Sequence, residues 1–249
     1  MDKTEAMCTL EKRGNIFLLT LTGTDEHRLH PNLIDSIRAA LHTVRSECTS
    51  SSSALITTAQ GKFFSNGYDL KWALVNKARQ ELMSKKLRSL VSDLISLPVP
   101  TIAAVTGHAS AAGFVFALCH DYIVMRKDRG FLYMSELDIG YPIPIWFTAL
   151  VKCKVGSPGV WREVVLKAAK LTAEMGVERG IVDSAHDGVE ETVEAGVKLG
   201  EELVRRNWDG KVYAGCRKTL YVELLNKLGS DETVGDYGDD EANKTLSKL

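Results

Sequence analysis

GKFFSNGYDL (residues 61–70) and TGHASAAGFVFALCHD (residues 106–121) are the two stretches that decide how this chain is read. Each puts a glycine and close-packing small residues directly after an apolar run that reads as a buried strand, ALITTA (54–59) before the first and TIAAVTG (101–107) leading into the second. Small residues at a strand end let the backbone approach a ligand and leave N–H groups free to point at it. After Ala112 and Gly113 the run FVFALC is apolar all round. It predicts a buried helix opening at Ala112, with unpaired N–H groups and a dipole that favour negative charge. Either segment alone is equally well explained as a tight turn; the two together suit an oxyanion.

Working outward, NIFLLTL (15–21) and YIVMR (122–126) read as two further strands. Leu33, Ile34, Ile37, Ala40, Leu41 and Val44 recur at helical spacing behind Pro31, which predicts an amphipathic helix. A long helix is expected from Asp69 to Ser96, striped by Met83, Leu87, Leu90, Leu94 and Leu97 and ended by Pro98 and Pro100. Strands alternating with helices predict an α/β class. Beyond Ser157 strand signals fade, and helices are expected over 159–170, 172–179 and 189–207. The expected organisation is a core over 1–156, a helical region over 157–229 and a flexible polar tail over 230–249, with TSSSS (49–53) as an exposed loop.

A chain of 249 residues, 45% hydrophobic, can bury a sizeable core, and 31 basic against 32 acidic residues leave no global field to draw nucleic acid or an anionic membrane. No apolar run approaches the ~18 residues of a membrane span, and the opening MDKTEAMCTLEKRGN lacks the apolar stretch of a secretory signal. The five cysteines are scattered and never form a CxxC pair, and the histidines lack ligand spacing, so neither a disulfide framework nor a metal site is expected. Ser247, Lys248 and Leu249 spell the SKL address read by the peroxisomal import receptor, which makes the peroxisome the expected location.

The two opening stretches resemble the crotonase (enoyl-CoA hydratase/isomerase) superfamily, and so does KLTAEMGVERGIVDSAHD (170–187), similar to that family's helix pair and G-[LI]-V-D turn. FFSNGYDL is similar to the first oxyanion-hole motif, F-x-x-G-x-D-[IL], whose donor follows the glycine and is Tyr68 here. HASAAGFVFALCHDY is similar to the second motif, in which Ala112, replacing a usual glycine, supplies the other N–H. The resemblance implies a spiral of ββα units with a helical C-terminal trimerisation region, a homotrimer or hexamer, and an acyl-CoA substrate. It implies no metal or redox cofactor. Ser65, Asn66, Gly67, Asp69, Leu70 and Gly113 are then expected around the thioester.

Side chains separate the reactions within that family. A hydratase of the family carries a glutamate three residues past the second donor, where this chain has the apolar Val115. The second family glutamate matches Glu136 in MSELDIGYPIPIW (134–146), similar to the mitochondrial-type isomerase pattern E-x-x-[LI]-G-x-x-x-P-x-W through Ile139, Gly140, Pro144 and Trp146. Another branch of peroxisomal isomerases carries its glutamate four residues after the glycine, the place of Pro144 here. One carboxylate implies a Δ3,Δ2-enoyl-CoA isomerase in fatty-acid β-oxidation, with Glu136 carrying the proton. A hydratase, an acyl-CoA hydrolase and a non-catalytic CoA-binding scaffold stay open beside it. Ser135 and Tyr68 flank the catalytic positions and are expected to touch substrate. Lys71, Lys62 and Arg28 are candidates for the CoA phosphates, and Phe64, Tyr141, Ile145, Trp146 and Phe147 for the acyl pocket.

Overall fold

The computed structural model describes residues 6–23, 26–48, 52–229, 245 and 248. Its large sheet has six strands: β1 (Cys8–Arg13), β2 (Ile16–Leu21), β3 (Ala54–Ala59), β5 (Thr101–Val105), β7 (Tyr122–Arg126) and β9 (Ser184–His186). They lie in that order, β1 antiparallel to β2 and the rest parallel. A small parallel sheet holds β4 (Phe63–Ser65), β6 (His108–Ser110) and β8 (Leu132–Tyr133).

The two sheets come from one repeated path. β3 runs into β4 and then α2 (Leu70–Ala73) and α3 (Lys77–Ile95); β5 runs into β6 and α4 (Ala112–Leu118); β7 runs into β8, α5 (Glu136–Ile139) and α6 (Ile145–Lys154). Each turn of this spiral gives one strand to each sheet and then a helix, so three strand-to-helix junctions stack at one end of the small sheet. The core fills the space between the large sheet and helices α1 (Pro31–Glu47), α3, α4 and α6. In α3 the stripe Leu87, Leu90, Val91 and Leu94 is fully buried, each side chain worth ~1.5–3 kcal/mol over an exposed one. The opposite face of the large sheet, with Ile56, Ala104 and Val124, is covered by Val193, Val197 and Leu203 of α9 (Val189–Val204). Among the described residues no helix is long and apolar enough to cross a membrane.

The four expected strands and the helix behind Pro31 are present. The expected long helix is two. Asp69 Oδ1 caps α2 through Trp72 N at 3.2 Å, and the extended Asn76 caps α3 through Arg79 N at 2.9 Å. Side-chain caps of this kind start a new helix, so residues 74–76 interrupt an otherwise continuous apolar stripe. Over 159–170 the chain forms α7 (Pro158–Trp161) and a wider π turn over Arg162–Leu166, ending before Ala168 at φ +47°. α8 (Ala173–Glu178) follows, and β9 sits in a stretch where no strand is expected. The described end of the chain folds into α10 (Gly210–Leu220) and α11 (Val222–Leu228), packed on α3 and α6.

A buried ion pair fastens those last helices. Arg217 of α10 donates from Nε to Asp121 Oδ1 at 2.7 Å and pairs through Nη2 with Oδ2. It also donates to the carbonyls of Leu97 at 2.8 Å and Val99 at 2.6 Å, and to Leu94 and Ile95 at the C-terminus of α3. A guanidinium thus takes the carbonyls that end α3. Lys154 donates to the carbonyls of His120 and Asp121 and to the Tyr221 hydroxyl in the same layer. Most of the expected tail and of the 49–53 loop, including Ser247 and Leu249, lies outside the described residues.

Candidate active site

The three junctions of the small sheet open on one cavity of about 230 Å³. β4 leads in with Asn66, Tyr68 and Leu70, β6 with Ser110 and Ala111, and β8 with Ser135 and Glu136; Pro144 and Phe147 close it from α6 and its cap. Backbone contact between the first two junctions is unusually close. Gly67 has φ +72°, and a β-carbon there would lie 2.9 Å from Ser110 O and 3.3 Å from Ala112 N. A β-carbon on Gly113 would lie 2.1 Å from the Ser65 carbonyl oxygen. Gly113→Ala is therefore expected to lower stability by ~1–3 kcal/mol as β4 is pushed off α4, read as a drop in the thermal unfolding midpoint. An unchanged midpoint would mean that the two segments are free to separate.

Ala111 caps α4 at φ +50° and ψ −123°, a conformation natural to glycine and costly by ~1–3 kcal/mol elsewhere. That turn starts the helix at Ala112, whose N–H has no intrahelical acceptor. On the facing segment, Leu29 N donates to Gly67 O at 2.7 Å, which holds the chain extended through Tyr68. Among the described residues neither the Tyr68 nor the Ala112 N–H has a hydrogen-bond partner. Two free donors on touching segments are suited to one oxygen that gains negative charge.

Glu136 begins α5 and is 3% exposed, with Oε2 buried and unpartnered. Burial pushes its carboxyl from an ordinary 4.5 up to about 7. Among the described residues no cation lowers it, so it is poised to exchange a proton near neutral pH. Burial, with the Tyr141 and Glu136 charges, raises the Tyr68 phenol, whose ring lies 6.3 Å from that of Phe147. Val115 is fully buried on α4 and offers no polar group.

Of the residues expected from sequence, Arg28, Asn66, Tyr68, Leu70, Ser135 and Glu136 line the cavity, as do Tyr141 and Phe147. Arg28 is paired with Glu26 at 2.8 Å, and Asn66 Nδ2 donates to the same carboxylate at 2.6 Å. Ser65 sits behind the site, donating to His27 O at 2.8 Å and accepting from Gly67 N at 3.3 Å. Asp69 caps α2, and Gly113 and Trp146 are buried outside the lining. Phe64 is buried and stacked on Phe116, Ile145 is exposed, and Lys71 and Lys62 are exposed away from the cavity wall.

Sequence reasoning passed over Ser110, Tyr133, Asp138, Lys170 and Lys248, which also line it. Ser110 lay inside the second stretch, two residues before the donor, where its polarity among small apolar neighbours was the available signal. Lys170 carried none. The bridge between Leu132 and Leu171 brings it there, with Nζ 5.3 Å from the centre of the Tyr133 ring.

The sequence profile of the enoyl-CoA hydratase/isomerase family matches residues 11–213. The chain belongs to that family. Enoyl-CoA delta isomerase 1, peroxisomal, of Arabidopsis thaliana is 56% identical over 245 residues, covering 98% of this chain and 100% of that protein. Enoyl-CoA delta isomerase 3 of the same plant is 55% identical, over 89% of this chain and 95% of its own. Among solved structures, a probable enoyl-CoA hydratase of Mycobacterium tuberculosis superposes with a TM-score of 0.82 at 20% identity, covering 92% of this chain and 93% of that one. An enoyl-CoA hydratase of Bacillus halodurans gives 0.82 at 19%, over 98% and 100%. These two likenesses show the family's spiral fold.

Proposed function

We propose that this protein is a Δ3,Δ2-enoyl-CoA isomerase in which Glu136 alone moves the proton. The observation that carries the reading is a buried carboxylate whose Oε2 is unpartnered, in a cavity also lined by Tyr68 and by the Ala111 turn that opens α4, with Val115 where a water-activating glutamate would be needed. Similarity to the Arabidopsis delta isomerases supports the same reaction.

The thioester oxygen of a 3-enoyl-CoA sits against the Tyr68 and Ala112 N–H groups, with C2 towards Glu136. The carboxylate takes a proton from C2, and the electron pair moves onto the thioester oxygen as a dienolate held by the two donors. Each such donor contributes on the order of 3 kcal/mol to the barrier. The Glu136 carboxyl then returns the proton to C4, leaving the trans-2-enoyl-CoA. No electron leaves the substrate and no water is consumed, so the step balances without a metal or redox cofactor. Tyr68, Leu70, Tyr141 and Phe147 supply the wall for the acyl chain. Arg28 and Lys170, which with Lys248 are the cations of the described lining, suit the CoA phosphates.

The purified protein is expected to convert 3-hexenoyl-CoA to the 2-enoyl product and to hydrate 2-enoyl-CoA far more slowly. Hydration as fast as isomerisation would move the assignment to a hydratase, and release of free CoA to a hydrolase. The SKL ending, with the word peroxisomal in the names of two Arabidopsis relatives, supports a peroxisomal location and the import receptor as a partner. Loss of import on removing Ser247, Lys248 and Leu249 would be the sign of it. Exposed Leu166, Val212, Leu220 and Val222 on the C-terminal region support assembly into a trimer or hexamer, which the solution mass would report.

A further inference from the structure

The ladder between β6 and β8 ends at the pair Ser110 and Tyr133, closed by Ala111 N donating to Tyr133 O at 2.9 Å. Beyond this point the two chains part. One turns through Ala111 into α4 and presents the Ala112 N–H; the other passes Met134 and Ser135 and presents Glu136. The donor and the base therefore sit on diverging segments with no backbone rung between them.

A side-chain rung takes its place. Ser110 Oγ and Ser135 Oγ lie 3.1 Å apart, and both residues line the cavity. Ser135 occupies the N-cap of α5, where a serine hydroxyl ordinarily accepts from a backbone N–H of the first turn, yet its side chain makes no capping bond. The hydroxyl is turned to Ser110 instead. The Glu136 carboxyl is held only by a backbone N–H of its own residue, and Oε2 has no partner among the described residues. The backbone bonds at this turn, Ile139 N to Ser135 O at 3.3 Å and Tyr141 N to Glu136 O at 2.9 Å, are local to α5, so the hydroxyl contact is what links its N-cap across to the Ser110 segment.

We propose that Ser110 and Ser135 are positioning residues: their hydroxyl pair sets the separation between the oxyanion donors and the Glu136 carboxylate. The inference rests on the isomerase reading and adds to it the element that keeps base and hole in register. A base taking a proton from C2 and returning it to C4 must reach both carbons from one place, so its register with the held oxygen governs the rate. Substrate affinity depends on other contacts.

The test is steady-state isomerisation of 3-hexenoyl-CoA by wild type, Ser110→Ala, Ser135→Ala, the double variant and Ser135→Thr, with thermal unfolding of each. Each alanine variant is expected to lose roughly 10-fold or more in kcat with KM within about twofold, because a misplacement near 1 Å costs on the order of 10²-fold. The double variant is expected to be no worse than the poorer single, since the two act as one unit. Ser135→Thr keeps the hydroxyl and is expected to regain most of the loss. A positioning role predicts this rescue and this kcat-only loss; a merely structural role would lower the unfolding midpoint and leave kcat of the folded fraction unchanged. Single variants within twofold of an active wild type, losses that multiply in the double, or a rise in KM alone would overturn the inference while leaving the isomerase reading standing. A wild type that turns over no 3-enoyl-CoA would sink that reading, and this inference with it.

Discussion

Glu136→Gln is expected to slow isomerisation by at least ~10²-fold while CoA thioester affinity stays within about twofold, since the amide keeps the size of the side chain and removes the proposed base. Single-turnover rates and binding measured on the same preparation separate the two effects; undiminished turnover would mean that another group moves the proton. In the wild type, kcat/KM is expected to rise with pH through about 7 and level off above it, because Glu136 must be ionised in the free enzyme to act as a base. Stability carries the opposite sign. Its folded-state value lies above the ordinary 4.5, so ionisation is costlier in the folded protein, and the penalty grows from about pH 4.5 until it is complete above about 7. Glu136→Gln is accordingly expected to be the more stable protein at pH 8, by up to roughly 3 kcal/mol, and to lose that advantage by pH 4. Unfolding curves at the two pH values check it.

Arg217→Ala is expected to have the largest effect on stability, about 3–5 kcal/mol in chemical unfolding, because it leaves Asp121 charged, 11% exposed and without its guanidinium. It also strips the carbonyls of Leu97 and Val99 and those ending α3 of their donor. Arg217→Lys is expected to recover little, since one ammonium cannot span two carboxylate oxygens and several carbonyls at once. A loss under about 1 kcal/mol would mean that α10 and α11 are held by apolar contact alone.

Much of the fold was open to reading along the chain. β3 and β5 are buried along their length and β7 at its centre, so each is a run dominated by apolar and β-branched residues, and α1 shows a plain helical stripe. The edge strands escaped for the converse reason. β1 is largely exposed and carries Glu11, Lys12 and Arg13, while β9 spans three residues and exists because β7 offers it a ladder. The split between α2 and α3 turned on the Asn76 cap, a weak signal inside a strong stripe.

At the site the division is sharper. The sequence by itself determined the family and pointed to the Tyr68 and Ala112 N–H groups and to Glu136 as candidates, because glycines that permit close approach and a motif of fixed spacing are local properties of the chain. Tertiary structure alone decided that Glu136 is buried, with its carboxyl pushed up to about 7 and Oε2 unpartnered, that Ser135 turns to Ser110 and not to its own helix, and that Arg217 reaches back to Asp121. It also decided that Lys170, and not Lys71, reaches the cavity. The reason is that desolvation and hydrogen-bond pairing depend on what other strands and helices bring alongside. Ser110 and Ser135 stand 25 residues apart and Asp121 and Arg217 stand 96, and only the closing of the spiral makes them neighbours.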